Sequence, residues 1–142
     1  MTRNDLQEII NKFTDDYIVF TNLDDFRIAC NIPEKFKLKF NKTYNNGQHL
    51  GLQFNGTNNI YVNVELHNKY KNVKKFTEAQ QIMARKYLYM CKTINDCIVN
   101  TLLHELNHHL RIDLTHNHSH EFYKGVEEMM IIYKNKRVSV KN

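Results

Sequence analysis

Cysteine, proline and long apolar runs are all scarce in this 142-residue chain, and each scarcity removes a class of protein. The three cysteines, Cys30, Cys91 and Cys97, are odd in number and form no Cys-x-x-Cys pair. That argues against a disulfide scaffold or a zinc ribbon and for thiols buried or half-buried in a core. No apolar run approaches the roughly 20 residues that span a bilayer. The opening MTRNDLQEII is amphipathic and lacks the pattern of a signal peptide. A cytoplasmic or otherwise intracellular protein with no membrane partner is therefore expected, the nucleus included if the source is eukaryotic or viral. The single proline, Pro33, falls in a turn ahead of a predicted strand.

Hydrophobic residues make up 42% of the chain and aromatics 11%, too many for a disordered polymer. The length suits one folding unit with one core, residues 1–142, of which about 135–142 read as a basic tail. The formal charge of +5 comes from 20 Lys and Arg against 15 Asp and Glu. These cations are dispersed over Lys35–Lys42, Lys69–Lys75 and Lys134–Lys141. They read as solvated faces, and they are compatible with DNA contact without demanding it.

Periodicity predicts an α+β fold. Leu6, Ile9, Ile10, Phe13 and Tyr17 recur at helical spacing behind Asn4 and Asp5 as cap residues. Phe36, Leu38 and Phe40 alternate with lysines, the pattern of a strand with one wet face. Asn45-Asn46-Gly47 and Asn55-Gly56 are turn signals leading into His49–Phe54 and Ile60–Leu66, which completes a small three-stranded antiparallel sheet. Thr77–Met90 has helix-forming composition. Thr93 with Asp96 forms a capping box ahead of a helix reaching about Ile112. Ser119 caps a last helix with an inner stripe of Phe122, Val126, Met129, Met130 and Tyr133.

Six of the eight histidines lie between positions 104 and 120. His104 and His108, one turn apart in HELNH, project from the same helix face and can reach one zinc ion. Glu105 lies about 100° round the helix from His104, placed to act on a water as general base and not as a ligand. A catalytic zinc takes three protein ligands as a rule, so a third is needed. The metzincin pattern requires Gly at 111 and His at 114, where this chain has Arg111 and Leu114. A thermolysin-like glutamate is available in Glu127 or Glu128, and the other candidates are His116, His118 and His120. His109 reads as solvent-facing or as a neighbour of the ligands, and Tyr123 as a packing residue or an oxyanion donor. The isolated His49 and His67 read as structural.

The stretch HELNHHLRIDLTHNHSHEFYKGVEEM resembles the core of SprT-like zinc metallopeptidases, the family that includes Spartan. Those proteins carry a third histidine after the motif and an aromatic residue four positions beyond it, a spacing that His118 and Phe122 match. The resemblance implies a zincin-like fold, His118 as third ligand, zinc as cofactor, and a protein or peptide substrate that includes DNA-associated proteins. Ser119 stands where the family usually has glycine, the loop between the second and third histidines is short, and the family's zinc ribbon has no counterpart here. A minimal catalytic domain is expected. The competing expectations are a dedicated processing protease and a non-catalytic zinc-binding or nucleic-acid-binding module.

Overall fold

In the computed structural model, which describes residues 1–32, 50–54, 56–69, 90–114 and 119–141, the first element is helix α1 (Arg3–Asn11). Its cap is Thr2 rather than Asn4: Thr2 Oγ1 accepts from the Asp5 backbone N–H while the Asp5 carboxylate accepts from Thr2 N–H. Leu6, Ile9 and Ile10 bury one face. The stripe expected to run on to Tyr17 breaks after Asn11. Thr14 turns its hydroxyl to the Asp16 N–H, 3.3 Å away, a local bond that competes with helix. Tyr17 instead leads into strand β1 (Ile18–Phe20), which three residues of sequence are too few to announce.

Two side chains of α1 occupy the open edge of β1. Gln7 accepts from Val19 N–H at 2.9 Å and donates to Tyr17 O at 2.9 Å, while Arg3 Nε donates to Val19 O at 2.7 Å. The edge is thereby satisfied without another strand. Helix α2 (Leu23–Ala29) follows, capped by Asn22, and the chain leaves it through Asn31 at φ 56°.

Strands β2 (Gly51–Gln53) and β3 (Asn59–Val62) follow one another in the chain, and between them Gly56, of the predicted turn, has φ 87°. They pair antiparallel, Leu52 opposite Tyr61, whereas β1 pairs parallel to β3, Val19 opposite Ile60. The sheet is therefore mixed, in the order β1-β3-β2, and not the antiparallel meander that the sequence suggested. The strand expected at Phe36–Phe40 and most of the helix expected at Thr77–Met90 lie outside the described residues. The strand expected to reach Leu66 stops at Val62. Asn63 Oδ1 accepts from Leu66 N–H at 3.0 Å and starts a short helix, α3 (Val64–Lys69), so hydrogen-bonding chemistry overrides strand propensity there.

Helix α4 (Ile94–Leu110) begins at the predicted Thr93 and Asp96 capping box and lies across the sheet, packed on β2, β3, α1, α3 and a final helix, α5 (His120–Lys141). A 3-10 turn, Ile112–Leu114, links the two. The segment read as a basic tail continues the α5 backbone as helix through Lys141. Ile60 and Val62 face α4 and α1, where Leu102, Leu103, Leu106, Phe122, Val126 and Met130 join them in the main core. Tyr61, on the other face as the period of two requires, packs with Phe26 of α2. Each fully buried leucine of α4 contributes roughly 1.5–3 kcal/mol of burial. The HELNH turn is therefore carried on a helix anchored in the main core.

Candidate metal centre

The α4 residues that follow the leucine stripe bring His104 and His108 together. Their Nε2 atoms are 3.2 Å apart, with ring centres 4.9 Å apart and ring planes at 77°. Two nitrogens bound tetrahedrally to one zinc at about 2.0–2.1 Å sit about 3.3 Å from each other, so the pair fits the ion. The separation also suits an N–H···N hydrogen bond between neutral imidazoles. Phe122 of α5 holds both rings in place, its centre 4.5 Å from that of His108 and 4.9 Å from that of His104. Tyr123 stands 6.1 Å from His104, at the rim of the same group.

Glu105 is 8% exposed and lies against β2. A Cβ placed on Gly51 would come 3.0 Å from Glu105 Cγ, 3.2 Å from Glu105 Oε1 and 2.6 Å from Thr101 Cγ2. Glycine at 51 is what lets the strand approach this turn of helix. Burial pushes the Glu105 carboxyl up to about 8, into the range useful for proton transfer near neutral pH. A cation beside it would draw that value down again.

No protein-family model, curated protein or solved structure matches the chain.

Two contacts fix how α5 meets the motif. Asn107, buried inside HELNH, donates from Nδ2 to Phe122 O at 3.0 Å. Gly125 leaves room for the same amide, since a Cβ there would lie 3.1 Å from Asn107 Oδ1. Asn107, Gly51 and Gly125 were missed in the sequence, where they carry no signal beyond being small or polar. Beside them, His67 of α3 lies with its Nε2 2.8 Å from Thr101 Oγ1, and burial pulls it down to about 4. It is neutral at physiological pH and structural in character.

Of the candidate third ligands, His116 and His118 lie outside the described residues. His120, Glu127 and Glu128 are on α5 but off the face that carries Phe122. At 100° per residue they stand about 160°, 140° and 120° away from it, whereas Val126, Met129 and Tyr133 fall within about 40°. Among the described residues, no three His, Cys, Asp or Glu side chains are grouped so that they could hold a metal ion. Of the two expectations for His109, exposure to solvent is not met: it is half-buried, with its ring 4.9 Å from Tyr17 at 66°, and burial lowers its pKa. Strand β3 is central, with β1 on one side and β2 on the other. In the described sheet the edge next to Glu105 is β2.

Proposed function

We propose that this chain is a zinc-dependent metallopeptidase of SprT-like, zincin type, in which His104, His108 and His118 hold the metal and Glu105 is the general base. The observation that carries the reading is the convergence of the two imidazole Nε2 atoms to 3.2 Å, one residue from a buried carboxyl. When bound, zinc supplies positive charge that polarises a carbonyl and lowers the pKa of water to about 7. Glu105 takes the proton from the attacking water and returns it to the departing amine. Phe122 and the leucines beneath α4 keep the two imidazoles from turning away. His118 as third ligand rests on the SprT-like spacing, and the outward placement of His120, Glu127 and Glu128 on α5 supports it.

Strand β2 is the surface on which an extended peptide would lie, because its Gly51 touches Glu105 and it is an edge of the described sheet. Backbone pairing of that kind gives weak sequence preference. It suits a protease acting on diverse proteins, including those on DNA, where the chain's net charge of +5 would aid approach. Among the described residues no helix is long and apolar enough to cross a membrane.

The test is metal analysis of the purified protein followed by hydrolysis of casein, with and without single-stranded DNA and with chelator controls. The expected result is about one zinc per chain and chelator-sensitive cleavage that Glu105→Gln abolishes while zinc is retained. Bound zinc with no hydrolysis of any protein would overturn the peptidase assignment in favour of a structural metal. Cleavage that is indifferent to DNA would point to a dedicated protein target.

A further inference from the structure

The hydrogen bond between His67 and Thr101 joins α3 to α4 one helical turn ahead of Glu105. Thr101 and Glu105, at i and i+4, share a helix face. Strand β2 crosses that face at Gly51, where an added Cβ would lie 2.6 Å from Thr101 Cγ2 and 3.0 Å from Glu105 Cγ. The methyl of Thr101 therefore meets the strand. Its hydroxyl is directed elsewhere, to His67 Nε2 at 2.8 Å.

That division of one side chain is a choice of rotamer. Threonine in a helix splits between two χ1 wells, because its hydroxyl also reaches the carbonyl three or four residues back. Rotation out of the observed well moves Cγ2 from its place beside Gly51 and puts oxygen or hydrogen there. The bond to His67 selects the well. His67 is buried, so a turn of Thr101 would strip a buried imidazole nitrogen of its partner. Burial also keeps the ring neutral, its pKa pulled down to about 4. The ring is in turn placed by the sheet. Asn63, next after β3, donates from its backbone N–H to Leu50 O at 2.8 Å and accepts at Oδ1 from Leu66 N–H at 3.0 Å, which starts α3 and carries His67 to α4. Leu50 precedes Gly51, so β2, α3 and α4 close a circuit of contacts: Asn63 to Leu50, Gly51 to Thr101, and Thr101 to His67.

We propose that His67 is a positioning residue for the Glu105 side chain: it locks Thr101 in the rotamer whose methyl seats β2, and β2, through Gly51, holds Glu105 in place. In this role His67 touches neither metal nor substrate. The effect on turnover rests on the metallopeptidase reading, whereas the rotamer lock stands without it.

The experiment pairs methyl NMR of the metal-free full-length protein with casein hydrolysis by the zinc-loaded protein. Wild type should show a single Thr101 χ1 in its three-bond couplings and a nuclear Overhauser contact between the Thr101 methyl and the Gly51 α-protons. His67→Leu should average the rotamer and weaken that contact, while His67→Gln, whose amide replaces Nε2, should keep both. In turnover, His67→Leu should lower kcat roughly ten- to a hundredfold at unchanged zinc content, with His67→Gln restoring most of the loss. Thr101→Ser keeps the hydroxyl and lacks the methyl, so it should lower kcat to a similar extent even where His67→Leu is too unstable to assay. Thr101→Val is held in one χ1 by the helix itself, and adding His67→Leu to it should lower kcat no further. One Thr101 rotamer with an undiminished Gly51 contact in His67→Leu would overturn the proposal. So would a loss of kcat in His67→Leu that persists in full on the Thr101→Val background. Wild-type protein that hydrolyses nothing, while the NMR contrast holds, would refute the peptidase reading and leave the rotamer lock standing.

Discussion

Replacing Glu105 by glutamine should stabilise the metal-free protein, and by an amount that grows as the pH rises. Burial moves the Glu105 carboxyl from 4.5 to about 8, so between those values the folded state binds a proton that the unfolded chain has released. Folding stability therefore falls as pH rises through the window. At about 1.4 kcal/mol per pKa unit, the loss reaches roughly 3 kcal/mol by pH 7 and at most about 5 kcal/mol above pH 8. Side-chain movement toward water would reduce both figures. His67 acts with the opposite sign: its pKa falls from 6.5 to about 4, so its contribution is present above 6.5 and lost as pH drops toward 4. Subtracting the variant's curve from the wild type's removes His67 and leaves Glu105. The assay is urea unfolding of both proteins in chelator at about pH 5, 6, 7 and 8, followed by circular dichroism. Zinc should narrow the gap, because a nearby cation favours the carboxylate. Parallel wild-type and variant curves over that range would refute the buried-acid account of Glu105.

His104→Ala or His108→Ala should lose zinc together with any cleavage, read by metal content after dialysis. For the third ligand, His118→Ala should lose zinc where His120→Ala keeps it, and full occupancy in the former would remove His118 from the site. Gly51→Ala forces a methyl to 2.6 Å from Thr101 Cγ2 and against Glu105. It should cost roughly 1–3 kcal/mol in urea unfolding and lower kcat more than zinc content, because the strand must lift from the helix. Asn107→Leu removes the 3.0 Å bond from the side-chain amide to Phe122 O. A loss of about 0.5–1.5 kcal/mol is expected in thermal or urea unfolding, and zinc affinity should weaken as Phe122 shifts.

Where the sequence was legible, local chemistry governed the outcome. The Thr93 and Asp96 capping box, the apolar stripe of α4 and the Phe122-to-Tyr133 stripe of α5 stand where helical spacing put them, because backbone bonds and burial there agree. Gly56 was equally plain as a turn residue, and it takes a positive φ. Errors came where a polar side chain outvoted propensity. Asn63 started a helix within a run of strand formers, and beyond the end of α1 at Asn11 the Thr14 hydroxyl bonds Asp16 N–H where helix was expected to continue. Strand β1 is three residues long, so it could be found only by its partners, Gln7 and Arg3 on one edge and β3 on the other.

The sequence alone determined that His104 and His108 share a helix face with Glu105 beside them, since a 100° step per residue allows nothing else once the segment is helical. Tertiary packing decided what that face meets. Contacts from distant segments put Phe122 against both rings, seated α5 through Asn107 and Gly125, and brought Gly51 up to Glu105. Packing also set the carboxyl's raised pKa, because desolvation is a property of everything around a group and not of its neighbours in the chain.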